Sequence, residues 1–160
     1  MLATYPLRCV LITVLVAATC ACDDGPTEPT AIGTPPALNL TGTWVGPIGP
    51  PQQVNVTFIA TWTASQTGSA VTGPVALFRA SDNVAFSGTM NGTLSGTRLA
   101  LTYTVPQGSV PGAPDCTISG AAPIEATTTL LSGLMAMTAP NCEPISLLPS
   151  SVIGISLVKQ

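Results

Sequence analysis

Side chains able to carry out catalysis are scarce in this chain. It contains no histidine. After position 40 the acidic residues are Asp82, Asp115, Glu125 and Glu143. Hydrolysis by paired carboxylates needs two acids to converge in a cleft, and nothing in the spacing of these four indicates that they do. No serine or cysteine has a base at a recognisable spacing, and no glycine-rich loop joins a strand to a helix. We therefore predict no catalytic residue, no cofactor and no enzymatic activity.

The beginning of the chain has the pattern of an export signal rather than of a folded segment. A single charge, Arg8, precedes an apolar run at 9–18. At about ten residues this run is too short to span a membrane, as is typical of a signal peptide. We therefore expect residues 1–21 to be removed from the mature protein.

Two closely spaced cysteines follow the apolar run. Residues 16–24 resemble the lipobox of bacterial lipoproteins, in which a small residue precedes a cysteine that is diacylated on sulphur and becomes the mature N-terminus. Cys22, which follows Ala21, fits better than Cys20, which follows Thr19. The resemblance implies that a lipid on Cys22 anchors an exported protein to the membrane of the bacterial cell envelope, on the periplasmic or outer-membrane face. An ordinary signal peptide cut near Ala21 is the alternative.

Two cysteines remain when Cys9 and Cys20 leave with the signal peptide and Cys22 is lipidated. They are Cys116 and Cys142. In an oxidising compartment we expect a disulfide between them, which closes a loop of about 27 residues and stabilises the fold by about 3 kcal/mol. Two thiols without a histidine do not supply the tetrahedral ligand set of a zinc site, so we predict no metal.

Residues 22–39 have the composition of a linker. They contain four prolines among Gly, Thr and Asp, with almost nothing apolar to bury. Such a segment is predicted to be a disordered, extended tether, which in polyproline form spans about 50 Å.

From Leu40 onward apolar and polar residues alternate, which is typical of strands with one buried face. In 54–63, for example, one face carries Val54, Val56, Phe58, Ala60 and Trp62, and the other carries Asn55, Thr57, Thr61 and Thr63. In 84–95 glycines share the inward row, and small inward residues let a strand coil sharply, as in a closed sheet. The strands are predicted near 40–46, 54–65, 69–79, 84–95, 97–105, 115–122, 124–131, 133–139 and 151–159.

These runs predict an all-β domain over residues 40–160. Sequential antiparallel strands joined by short turns form a meander, and about eight to ten of them can remove both sheet edges by closing into a small up-and-down barrel. A two-sheet sandwich of immunoglobulin type is the alternative, although its Greek-key crossovers are not visible in the sequence.

The opening of the first predicted strand carries a resemblance to a known family. Gly42 and Trp44, within Thr41-Gly-Thr-Trp-Val-Gly46, resemble the Gly-x-Trp motif of lipocalin-type (calycin) barrels, in which the tryptophan plugs the closed end. Lys159 matches the basic residue that the last strand of such barrels lays across that tryptophan. Together with the Ser-Gly-Thr turns and the late cysteine pair, this is similar to small bacterial lipoproteins with a lipocalin-like barrel.

The charge of the chain excludes one class of partner. Without Arg8, three basic residues face seven acidic ones, for a net charge near −4. Nucleic acid would be repelled, and membrane association must come from acyl chains rather than from a polybasic surface. Arg79 and Arg98 are expected to be solvated charges at strand edges or in loops.

Two functions stay open at this point. In the first, which the lipocalin resemblance implies, the barrel binds a small apolar ligand in its open mouth, with Ile145, Leu147 and Leu148 at the rim. Alternatively, the domain is an envelope structural or protein-interaction module, for example a periplasmic inhibitor-like barrel. A wide, dry cavity would favour the ligand binder, whereas a filled barrel with a protruding apolar loop would favour the interaction module.

Overall fold

The computed structural model describes residues 37–51, 57–143 and 150–160. The predicted signal peptide, the lipidation site Cys22 and most of the predicted tether lie outside these residues. In the described part of the chain, no helix is long and apolar enough to cross a membrane.

The described residues form eight β-strands, along which buried and exposed side chains alternate. They are β1 Gly42–Gly49, β2 Phe58–Thr67, β3 Ala70–Arg79, β4 Val84–Ser95, β5 Arg98–Val105, β6 Ile118–Ala126, β7 Leu130–Thr138 and β8 Ser150–Lys159. Each strand pairs antiparallel with the next, and β8 pairs back with β1 to close the barrel. The predicted all-β meander barrel is therefore confirmed, and the sandwich alternative is wrong.

The inward row of each strand forms the core. On β2, Phe58, Ala60 and Trp62 are buried while the residues between them are exposed. The row continues around the barrel through residues such as Leu99 on β5 and Leu157 on β8. The alternation read from the sequence thus identifies the core side chains of these strands correctly.

Two hairpins turn on glycines with left-handed backbone. Gly68 joins β2 to β3 with φ of +60°, and Gly96 joins β4 to β5 with φ of +61°. A residue with a Cβ is strained in this region, whereas glycine adopts it readily, and two-residue hairpin loops require it. The predicted turn at 95–97 is confirmed.

The region around Pro123 differs from the prediction. The sequence predicted separate strands at 115–122 and 124–131, but β6 runs through Pro123 and turns only at 127–129. Pro123 pairs with β5, opposite Ala100, while the pairs recorded with β7 lie on either side of it, at Ala121 and Glu125. A proline cannot donate to a ladder, so it is tolerated in a strand where one ladder skips it.

Glycines bring neighbouring strands unusually close at the bends of the barrel. A Cβ built on Gly46 would lie 2.0 Å from the carbonyl oxygen of Ser156, and one on Gly73 would lie 1.9 Å from that of Thr63. On β4, a Cβ on Gly88 would lie 2.3 Å from the carbonyl oxygen of Thr104. A Cβ at any of these positions would clash with the main chain of the neighbouring strand, so each requires glycine.

Candidate functional site

One end of the barrel, here called the Trp44 end, contains the glycine and the tryptophan of the Gly-x-Trp motif together with their basic partner, Lys159. Trp44 is fully buried, and its Nε1 donates a hydrogen bond to the carbonyl oxygen of Leu40 at 2.8 Å. Lys159 Nζ lies 5.5 Å from the centroid of the Trp44 ring and donates to the carbonyl oxygen of Asn39 at 3.2 Å. Gly42 packs under the same lysine, because a Cβ there would lie 2.9 Å from Lys159 Cε. The structure therefore brings Gly42, Trp44 and Lys159 together.

A residue that sequence reasoning missed, Gln66, also holds this end. Its Oε1 accepts from the backbone N–H of Leu40 at 2.7 Å, and its Nε2 donates to the carbonyl oxygen of Leu38 at 3.1 Å. These bonds fix the segment that leads into β1. These contacts join residues more than 20 positions apart, and such a separation leaves no local pattern in the sequence.

The opposite end, here called the disulfide end, is held by Cys116 and Cys142. The two form a disulfide, and both are fully buried. The bond joins the loop between β5 and β6 to the segment after β7. The predicted disulfide is confirmed.

Side chains of the described residues fill most of the interior of the barrel. A cavity of about 20 Å³ lies toward the disulfide end, with walls that include Ile48, Leu77, Phe86 and Met137. Tyr103 is among the residues that line this cavity, and its buried Oη has no hydrogen-bond partner among the described residues. A space of this size holds about one water molecule and no organic ligand.

Arg79 does not have the solvated environment that the sequence predicted. It is 3% exposed and ends the inward row of β3, so the prediction of a solvated charge is wrong. Its guanidinium donates to both carboxylate oxygens of Asp82, at 2.9 and 2.5 Å, and lies 4.8 Å from the centroid of the Phe58 ring. The alternation along β3 indicates that Arg79 is buried, because Arg79 follows the buried residues Val75 and Leu77 at the same spacing of two.

The burial of Arg79 is offset by its neighbours. The hydrogen bond from Arg79 lowers the pKa of Asp82 below its ordinary value of 3.8. Phe58 packs edge-on against Phe86, with ring centroids 5.1 Å apart. The charge is therefore paired with a carboxylate and stacked on an aromatic face, which together stabilise a cation out of water.

The remaining charged groups are dispersed. Arg98 and Glu125 form an exposed pair on β5 and β6, with Nε and Oε1 3.3 Å apart, so Arg98 is solvated as predicted. Asp115 accepts a hydrogen bond from Gln107 at 2.9 Å and lines a shallow surface groove together with Glu143. Within the described ranges, no three potential ligands converge to hold a metal ion.

The predicted rim residues Ile145, Leu147 and Leu148 lie outside the described residues, so their role stays a prediction. No protein-family model, curated protein sequence or solved structure matches the chain. The closed barrel of eight antiparallel strands is consistent with a lipocalin-like fold.

Proposed function

We propose that the chain is an exported, lipid-anchored protein of the bacterial cell envelope whose barrel is a non-catalytic protein-interaction module. The observation that carries this proposal is the volume of the interior. Sites for small organic ligands enclose about 300–1,000 Å³. The cavity of about 20 Å³ at the disulfide end is far below that range.

The packing of the interior supports the same choice. Trp44 and Trp62 lie opposite one another on β1 and β2, and both are fully buried. Met90 and Met135 fill positions farther round the barrel and are also fully buried. A barrel of eight strands is only just wide enough for side chains to fill, and here large side chains occupy it.

The outer surface supports an interaction with another protein. Ile59 and Phe78 lie opposite each other on β2 and β3 and are 46% and 43% exposed. Their register neighbours Pro47 and Ala85 are uncharged and exposed. An apolar, uncharged cluster of this kind suits a partner whose own surface is apolar and weakly charged.

The carrier function can be tested by native mass spectrometry of the mature protein purified from the envelope. We expect the same mass before and after denaturation, apart from the covalent lipid, because the cavity lined by the described residues measures only about 20 Å³. An additional mass of a few hundred daltons that disappears on denaturation would overturn the proposal in favour of a ligand carrier.

The anchor can be tested separately with two serine variants. Cys22→Ser should abolish the lipid mass and release the protein from the membrane fraction, whereas Cys20→Ser should leave both unchanged. The reverse pattern would move the anchor to Cys20, and loss in neither variant would indicate an ordinary signal peptide.

The interaction surface can be tested by crosslinking in intact cells. We expect an envelope protein that is crosslinked to the native chain to be lost from an Ile59→Ser/Phe78→Ser variant. It should be retained in Thr104→Val, a control that alters the outer surface of β5. Equal crosslinking in all three chains would refute this surface.

A further inference from the structure

The first residues of β4 have a strand neighbour on one side only. Residues 84–88 pair with β3, whereas the pairs between β4 and β5 begin at Thr89, which lies opposite Thr104. β5 ends one residue later at Val105. Pro106 follows, and a proline has no N–H with which to continue the ladder. Over its first turns of sequence β4 is therefore an edge strand, although the barrel as a whole is closed.

Ala85 and Ser87 direct their backbone groups toward this unpaired side. In an antiparallel sheet, the N–H and C=O of successive residues point to opposite neighbouring strands. The N–H of Leu94 donates to the carbonyl oxygen of Ser69, on the β3 side, at 2.8 Å. The register between β3 and β4 is unbroken, so the even-numbered residues of β4 face β3 and the odd-numbered ones face β5. Among the described residues, none forms a hydrogen bond with Ala85 or Ser87 from the β5 side.

The edge carries none of the features that usually prevent the addition of a strand. Exposed edges in folded proteins are commonly protected by lysine, by proline or by a bulge. Ala85 and Ser87 are small, uncharged and exposed, and their register with β3 contains no bulge. At these two residues β4 therefore presents neither charge nor bulk to a second chain, and each residue offers it one N–H and one C=O.

A surface groove connects this edge with the apolar cluster of Ile59 and Phe78. Its walls include both of these residues, Ala85 and Ser87 of β4, and Ser109 of the loop between β5 and β6. Phe78 lies opposite Ala85 on the neighbouring strand. A residue added opposite Ala85 would stand two strands from Phe78, about 10 Å away, with only a methyl group between them. The groove thus offers an apolar contact beside the free backbone groups.

We propose that the beginning of β4 is a docking site for an extended segment of a partner protein, which adds as a strand along Ala85 and Ser87. The inference rests on the proposed function, because it states how the partner engages the surface of Ile59 and Phe78. Main-chain hydrogen bonds supply affinity, and alternate side chains of the segment, lying against the groove, supply selectivity. The segment that fits is uncharged, apolar or β-branched, and has no proline where its N–H groups face β4.

A proline substitution tests the added strand. Ser87→Pro removes the N–H that faces the partner but leaves the ladder with β3, because the N–H of Ser87 does not point to β3. Ser87→Ala keeps the N–H and removes only the hydroxyl, so it is the matched control. In the crosslinking assay in intact cells, we expect the crosslinked envelope protein to fall about fivefold or more in Ser87→Pro and to stay unchanged in Ser87→Ala. Equal crosslinking in the two variants would overturn the proposal.

The same assay separates this inference from the proposed function. If the native chain crosslinks to no envelope protein, the proposed function fails and the docking site fails with it. If the crosslink is lost in Ile59→Ser/Phe78→Ser but kept in Ser87→Pro, the interaction surface stands and only the added strand is refuted.

Hydrogen exchange of the backbone amides tests the edge independently of how Ser87→Pro folds. In the purified mature protein, we expect the amides of Ala85 and Ser87 to exchange rapidly while those of Phe86 and Gly88, which face β3, are protected. In the crosslinked complex all four should be protected. Protection of Ala85 and Ser87 in the isolated protein would mean that another part of the chain or a second copy occupies the edge, and would overturn the proposal. Rapid exchange of both amides in the complex would overturn it equally.

Discussion

The substitution Gly73→Ala tests whether close approach between strands closes this barrel. The added Cβ would lie 1.9 Å from the carbonyl oxygen of Thr63 and 3.2 Å from Trp62 Nε1. The nearest obstacle is main chain on β2, so no rotation of a side chain relieves the clash. The strands must separate, which weakens local pairing and packing at once.

The expected loss of stability follows from these two effects. Overpacking a well-packed interior costs about 1–3 kcal/mol, and occasionally more. A weakened backbone hydrogen bond adds about 1 kcal/mol. We therefore expect Gly73→Ala to lower the free energy of unfolding by about 3 kcal/mol, a large fraction of the roughly 5–15 kcal/mol of an ordinary domain.

Gly154→Ala on β8 is the control. A Cβ there would have its nearest neighbour at 3.7 Å, which is an ordinary contact, and the residue has no positive φ. The substitution should be neutral or stabilise the fold by about 0.5–1 kcal/mol, because alanine loses less backbone entropy than glycine on folding.

Urea unfolding followed by tryptophan fluorescence, with the disulfide oxidised, measures both variants. At about 1–3 kcal/mol per molar urea, the midpoint of Gly73→Ala should fall by about 1–3 M while that of Gly154→Ala stays at or above the native value. If Gly73→Ala unfolds within about 0.5 M of the native chain, or if both variants lose the same stability, the reasoning from close approach is refuted.

Three further predictions concern the disulfide and two titratable groups. Replacing Cys116 and Cys142 by alanine should lower the free energy of unfolding by about 3 kcal/mol in urea titrations, and an unchanged midpoint would contradict this. Because Arg79 lowers the pKa of Asp82, that carboxylate stabilises the fold above pH 3.8 and this stabilisation is lost as the pH falls below it. Asp82→Asn should therefore flatten the acid limb of a plot of stability against pH, and an identical limb would disprove the link. Because burial raises the pKa of Tyr103 above its ordinary value of 10.0, stability should fall as the pH rises above 10, and Tyr103→Phe should remove that fall if the phenol causes it.

The strands could be predicted from sequence because burial on one face imposes a period of two. The predicted run 84–95 coincides with β4, and the predicted 97–105 differs from β5 by one residue. The prediction is wrong at Pro123, which lies between the predicted strands 115–122 and 124–131 but inside β6. The proline is accommodated because the β6–β7 pairs lie on either side of it. Which residues of two strands pair is not visible in the local sequence.

For Arg79, residue type predicts the wrong burial, whereas its position in the alternation of β3 predicts the right one. A charged side chain is seldom buried, and residue type alone therefore predicts that Arg79 is solvated. The alternation of β3 instead points it inward, and the cost of burial is offset by Asp82 three residues later and by Phe58 on the neighbouring strand. The first partner is local and visible in the sequence, whereas the second depends on strand register.

The candidate site was less predictable than the fold because its properties depend on volumes that distant residues share. Whether the interior is hollow depends on how Phe58, Phe86 and Met137, from three different strands, meet in one cross-section. The alternation of apolar and polar residues shows only that each of these three side chains faces inward. The space that remains between these side chains depends on how closure of the barrel brings them together.

Closure also explains why a lipocalin-like strand pattern does not by itself imply a carrier. Eight strands fix a narrow interior, so each inward position is either filled by its own side chain or left to a ligand. At the Trp44 end two fully buried tryptophans lie in register, and Lys159 and Gln66 hold the segment that leads into β1. Toward the disulfide end, Phe58 and Phe86 line a space of only about 20 Å³. The same topology could carry a ligand if a few of these inward side chains were small, and so function in such barrels depends on residue volume at the inward positions more than on the order of strands.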